Sequence, residues 1–275
     1  MRSYLDTLPV DRWRYTLPAT LWMGLVALGL WYGPIPQDPA YHLFAGDRTI
    51  AGIPNFWNTV SNLPFALVGL AGLWLCRRQV PPGGLPALAA CYRLFFGALV
   101  LIAAGSAWYH LAPDNSRLFW DRLPMAVAFM ALFSALLGES IDPKLGRRLL
   151  WPLVALGVGS VCYWYLTELQ GRGDLRPYLL VQLTPMVLIP MGLLLFGSRC
   201  QPSHYIWWML PLYVLALALE RFDTEVATLI GVGGHPLKHL VAAVAAACLL
   251  PALLYRTRLR STAPSDSSTA ARSAE

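Results

Sequence analysis

The chain has 275 residues, of which 56% are hydrophobic and only 13% charged. A soluble domain carries about 25% charged residues, so this composition excludes an ordinary water-facing globular protein, and the mean hydropathy of +0.49 points to one embedded in lipid. The net charge of +6 and pI near 9.2 would suit nucleic acid, but the basic residues sit between apolar segments, the positive-inside pattern rather than a phosphate-binding groove.

Residues 1–54 read as a leader, an additional transmembrane helix and an outer loop. The leader, 1–16, is polar and carries Arg2, Arg12 and Arg14. The apolar run over 17–32 has the position of a signal peptide, but no small-residue cleavage site precedes Pro34 and Pro36, so it is read as a retained anchor. The loop over 33–56 is rich in proline, glycine and aromatics and holds Asp38, His42, Asp47 and Arg48.

Seven further apolar segments follow, at about 57–76, 92–111, 118–138, 149–167, 176–197, 204–220 and 233–254. Most approach the length of about 20 residues that spans a bilayer; the sixth is short and ends in charged residues. In lipid each segment must satisfy its own backbone, so these are helices. The predicted fold is an all-α polytopic membrane protein: a seven-helix transmembrane core over 55–255 plus one additional N-terminal transmembrane helix. Trp57, Trp108, Trp120, Trp151, Trp164, Trp207 and Trp208 lie near segment ends, where interfacial belts would place them. Residues 256–275 form a tail, and 261–275 have too little apolar content to fold. The five cysteines form no CxxC, which argues against a disulfide framework or a thiolate metal site.

The basic residues give an orientation. Arg2, Arg12, Arg14, Arg77, Arg78, Arg93, Lys144, Arg147, Arg148, Arg199, Arg256, Arg258, Arg260 and Arg272 would lie on one side. Arg48, Arg117, Arg122, Arg172, Arg176 and Arg221 would lie on the other; with Lys238 inside a segment, fourteen, six and one account for all 21. Both termini are therefore expected in the cytoplasm.

Chemistry concentrates at the outer side. Ser106 and His110 are four apart and stack on one helical face. Pro113-Asp114-Asn115-Ser116 turns the chain back, bringing Asp121 to a depth near that of His110. Far downstream, His235 and His239 repeat the i, i+4 spacing; Pro236 makes His235 a candidate cap with His239 one turn in. An ionisable group at membrane depth is costly and is by default a functional hypothesis. Three histidines with a carboxylate and a hydroxyl suit a catalytic metal site of three ligands and water. The plainer readings are separate inter-helix hydrogen bonds for the histidines, an ion pair of Asp121 with Arg117 or Arg122, and close packing for Ser106. Asn58, Ser61 and Asn62 form a polar stripe read as inter-helix hydrogen bonds; Glu139, Glu220, Asp223 and Glu225 are read as interfacial, and His42 and His204 lie outside the pattern.

Asn-Phe-Trp-Asn-Thr-Val-Ser-Asn (55–62), Gly-Ser-Ala-Trp-Tyr-His (105–110), Asp-Arg-Leu-Pro-Met (121–125) and Gly-His-Pro-Leu-Lys-His (234–239) together resemble the alkaline ceramidase family, within the superfamily that includes adiponectin-type receptors. The resemblance covers roughly 55–255 and implies a zinc-dependent intramembrane amidase acting on a ceramide-like lipid amide. It implies His110, His235 and His239 as zinc ligands, with Ser106 and Asp121 as catalytic residues beside them. Two features depart from the family: the additional N-terminal segment, and Asn55 in place of a glutamate of the eukaryotic calcium cluster, with only Asp38 and Asp47 upstream. The short loops look like those of bacterial members, which implies the bacterial inner membrane. A receptor-like protein with a structural metal, and an esterase of the same superfamily, are the competing readings.

Overall fold

The computed structural model describes residues 12–46 and 48–259. The expected leader up to residue 11, Asp47 and the tail from residue 260 lie outside the described residues. The chain is a bundle of α-helices: α1 (Trp13–Tyr32), α2 (Phe56–Val60), α3 (Leu63–Leu75), α4 (Ala89–Leu111), α5 (Asn115–Ser140), α6 (Pro143–Leu169), α7 (Arg176–Phe196), α8 (His204–Arg221), α9 (Asp223–Ile230), α10 (Gly234–Ala247) and α11 (Leu249–Tyr255). A two-residue antiparallel pair, β1 (Cys200–Gln201) and β2 (Thr257–Arg258), closes one end.

Among the described residues, six spans are long and apolar enough to cross a membrane, and a seventh if the bent pair α8–α9 is one span. The protein is an all-α, multi-pass membrane protein. Helix α1 spans 20 residues, about 30 Å at 1.5 Å per residue. Its tryptophans and tyrosines dilute its hydropathy, and it is not among those six or seven. It lies along α7, with Trp22 Nε1 donating to Thr184 Oγ1 at 2.9 Å. The short sixth segment is α8, which turns by 82° into α9. Trp57, Trp108, Trp120, Trp151 and Trp208 are exposed as belts require, but Trp164 is fully buried and Trp207 packs against the core.

Consecutive helices α4, α5 and α6 pack as hairpins. Asp114 caps α5 by accepting from the Arg117 amide at 2.7 Å, and Asp142 caps α6 through the Lys144 amide at 3.0 Å, so each reversal is set by an aspartate side chain. Gly105 sits so close to α5 that an added Cβ would stand 2.2 Å from the Trp120 carbonyl oxygen. That approach brings the Ser106 face of α4 against Asp121.

At the end of the bundle opposite Asp121, Glu139 and Arg256 form a fully buried bidentate pair at 2.8 and 3.0 Å. The Tyr92 hydroxyl donates to the same carboxylate at 2.6 Å. Glu139 is thus a core residue and not interfacial as expected. Residues 256–259, counted with the tail in the sequence reading, are tied in here: Arg256 by that pair and Arg258 through the Gly84 carbonyl at 2.6 Å. The five cysteines are free thiols.

Candidate metal centre and its cavity

Helix α4 delivers His110 in its last turn and α10 delivers His235 and His239 from its first two turns. Pro236 fits there because a first-turn residue needs no amide hydrogen. The helix begins two residues earlier than a His235 cap would require, with Gly233 as its cap, and the His235 amide is satisfied by Asp223 Oδ1 at 2.8 Å. Asp223 Oδ2 also accepts from the Ala45 amide at 2.8 Å, so α9 pins both α10 and the outer loop.

The three imidazoles converge. Their candidate ligand atoms all lie within 4.8 Å of one another, and each residue is buried. Both ring nitrogens of His110 are buried without a hydrogen-bond partner. Ser61 Oγ lies 2.8 Å from His239 Nδ1, which orients the ring and leaves Nε2 for a ligand bond, the outer support that metal-bound histidines ordinarily have. His235 Nδ1 lies 3.8 Å from Glu220. Three neutral nitrogen donors at this separation fit a metal ion with an open coordination position. Phe44 of the outer loop stands over the group, its ring 4.7 Å from that of His110 and 4.6 Å from that of His235.

Asp121 is buried on α5, six residues after Asn115. Its Oδ1 has no hydrogen-bond partner, and the Ser106 hydroxyl lies against its carboxyl. Neither arginine is spent on it: Arg117 pairs with Asp114 and stacks on Trp108, while Arg122 donates to Gln37. The structure therefore brings together all five sequence candidates, Ser106, His110, Asp121, His235 and His239.

It also adds partners that the sequence reading placed elsewhere. Ser61 orients His239. Asn55, in a left-handed conformation (φ 45°), donates its Nδ2 to the His110 carbonyl at 3.0 Å. His42 bridges Tyr109 and Asn115 at 2.9 and 3.0 Å. Glu220 is the hub of a network, accepting from Lys238 and from the Tyr41 hydroxyl. Burial first, and then the Glu220 carboxylate, hold the Tyr41 phenol well above its ordinary pKa, so it remains a neutral donor.

Beside the histidines lies a cavity of about 540 Å³, within the range of about 300–1,000 Å³ usual for ligand sites. Its polar groups include Ser106, Asp121, Arg122, Glu220, Lys238 and His239; most of the remaining lining is apolar, with Phe65, Phe95 and Leu99 on one side and Met186, Ile189 and Leu193 of α7 on another.

The family model described as Ceramidase matches residues 49–218. The chain belongs to the ceramidase family. Membership makes it a hydrolase acting on the amide bond of ceramide, and the site just described has the matching parts, an apolar cavity with polar groups at one end. The match contains Ser106, His110 and Asp121 and ends before His235 and His239, which the fold brings beside His110 from α10. No curated protein matches the chain.

Proposed function

We propose that this ceramidase is a zinc-dependent intramembrane amidase that cleaves a ceramide-like lipid into a fatty acid and a long-chain amine. The carrying observation is the buried histidine group, whose ligand atoms lie within 4.8 Å of one another and in which both His110 nitrogens are unpartnered. His110, His235 and His239 would hold the ion, and a zinc there supplies a Lewis acid and a bound water of pKa about 7.

The protein's own groups do the rest. The apolar walls bind the acyl chain and exclude bulk water. Asp121 takes a proton from the attacking water on Oδ1 and returns it to the departing amine nitrogen, the two halves of general acid–base catalysis. The Ser106 hydroxyl donates to the amide oxygen as charge develops there. Ser61 fixes the His239 ring. Residues 55–255 constitute the catalytic domain on this reading. The chain lies in a bacterial inner membrane with both termini cytoplasmic and the histidines toward the outer side, as the basic-residue distribution supports. Asn55 is committed to the His110 carbonyl, so no calcium site is part of the proposal.

The test is hydrolysis by the purified full-length protein of a ceramide and of the ester with the same chains, before and after chelation. Amide cleavage that chelation abolishes and zinc restores is expected. Cleavage of the ester alone, or ceramide turnover indifferent to chelation, would overturn the proposal.

A further inference from the structure

The polar end of the cavity holds two cations whose bonding differs. Lys238 is paired with Glu220. Arg122 is only 5% exposed, yet it makes no ion pair among the described residues. Its Nη2 donates to the neutral Gln37 Oε1 at 2.7 Å. Its guanidinium lies 4.3 Å from the Trp164 ring, 5.1 Å from Tyr178 and 5.4 Å from Tyr41. These groups hold the side chain in place by cation–π attraction without neutralising it. Nη1 is buried and has no partner.

The Asp121 and Glu220 carboxylates act on this charge at a distance, but neither is hydrogen-bonded to it, and a buried donor left unpaired is costly. A planar guanidinium with one unpaired edge is the side-chain group best matched to a carboxylate or phosphate. The residue lines the cavity and follows Asp121 in sequence, so its ligand must sit beside the cleaved bond.

We propose that Arg122 binds an anionic oxygen of the lipid, a carboxylate or a phosphate, through Nη1. The proposal rests on reading the cavity as the ceramide site and adds the charge of what is held there. Two lipids present that chemistry: the released fatty acid, and a ceramide with an anionic head group. The first makes Arg122 a product-binding residue, the second a determinant of substrate choice.

The experiment uses the full-length protein in detergent, wild type against Arg122→Gln and Arg122→Lys, with palmitate, neutral ceramide and ceramide phosphate as probes. Losing one hydrogen bond to a charged group weakens binding by about 10- to 100-fold. If the fatty acid is the ligand, direct palmitate binding weakens by that factor in Arg122→Gln and partly recovers in Arg122→Lys. If the head group is the ligand, palmitate binding stays and kcat/KM for ceramide phosphate falls by that factor relative to neutral ceramide. Either result supports the proposal. Wild-type palmitate affinity and an unchanged substrate ratio in both variants would overturn it. Palmitate binding needs no turnover, so it reports on Arg122 even if ceramide proves not to be the substrate. Should Arg122→Gln fail to fold, Arg122→Lys, which keeps the charge and loses the planar fork, gives the same reading: weaker palmitate binding or a lower ceramide phosphate to ceramide ratio supports the proposal, and both unchanged overturns it.

Discussion

His110 has two buried ring nitrogens without a protein partner, and Asp121 has one buried oxygen in the same state. Buried polar atoms are ordinarily paired because desolvation without a hydrogen bond costs about 1–3 kcal/mol. Asp121 lines the cavity, and His110 meets His239, which lines it too, so the two orphaned groups mark the place where ligand and reactant belong. Asp121→Asn keeps the shape and removes the base. Zinc should remain, while ceramide turnover falls by about 100- to 10,000-fold, the usual contribution of a general acid–base group. Near-normal turnover in that variant would remove Asp121 from the mechanism. At this scale the sequence was informative where helical periodicity decides: SxxxH, HxxxH and an aspartate across a turn. Ser61 was not legible, because its partner His239 is 178 residues away and periodicity says nothing about which helix α2 faces. Arg122 was counted among outward basic residues because a charge beside a loop ordinarily reaches water; here three rings and Gln37 enclose it.

Helix pairing sets the distances between these side chains. Gly105 lets α4 meet α5 at backbone contact, and its neighbour Ser106 thereby reaches Asp121. Gly105→Ala would force the helices apart, at about 1–3 kcal/mol for overpacking, and should lower both thermal stability and turnover. Gly97→Ala on the same helix meets nothing within 4 Å and should be neutral or slightly stabilising, since alanine is the better helix former. Equal behaviour of the two variants in melting and turnover assays would sink this account of the α4–α5 contact. The helices themselves were largely legible from apolar run length, and Asp114 caps α5 where turn chemistry predicts a reversal. The 82° turn between α8 and α9 was not, because its partners are distant in sequence: Asp223 accepts from the Ala45 and His235 amides.

Across the whole molecule, polarity is split between two ends. The histidines, Asp121 and the Glu220 network occupy one; the Glu139–Arg256 pair and the β1–β2 clasp occupy the other. Fourteen of the 21 basic residues belong to the sequence segments expected at the second end, the distribution on which the proposed cytoplasmic orientation of that end rests. A reporter fused at the C-terminus should be active only in its cytoplasmic form; activity of a periplasmic reporter would reverse the orientation. The seven-helix core is reached when α8 and α9 count as one span. Helix α1 is the chain's addition to it, lying against α7, a wall of the cavity.

Metal content bears most directly on the central claim that the three histidines hold a catalytic zinc. Zinc would be quantified in the purified full-length protein and in His110→Ala, His235→Ala and His239→Ala, alongside ceramide turnover and melting temperature. The expected result is about one zinc per wild-type chain, as a three-ligand catalytic site holds. Each variant should show a large loss of zinc and turnover and a lower melting temperature, because a ligand bound to the native state stabilises it. Wild-type protein that hydrolyses ceramide without zinc, or variants that keep a full complement of zinc, would contradict it.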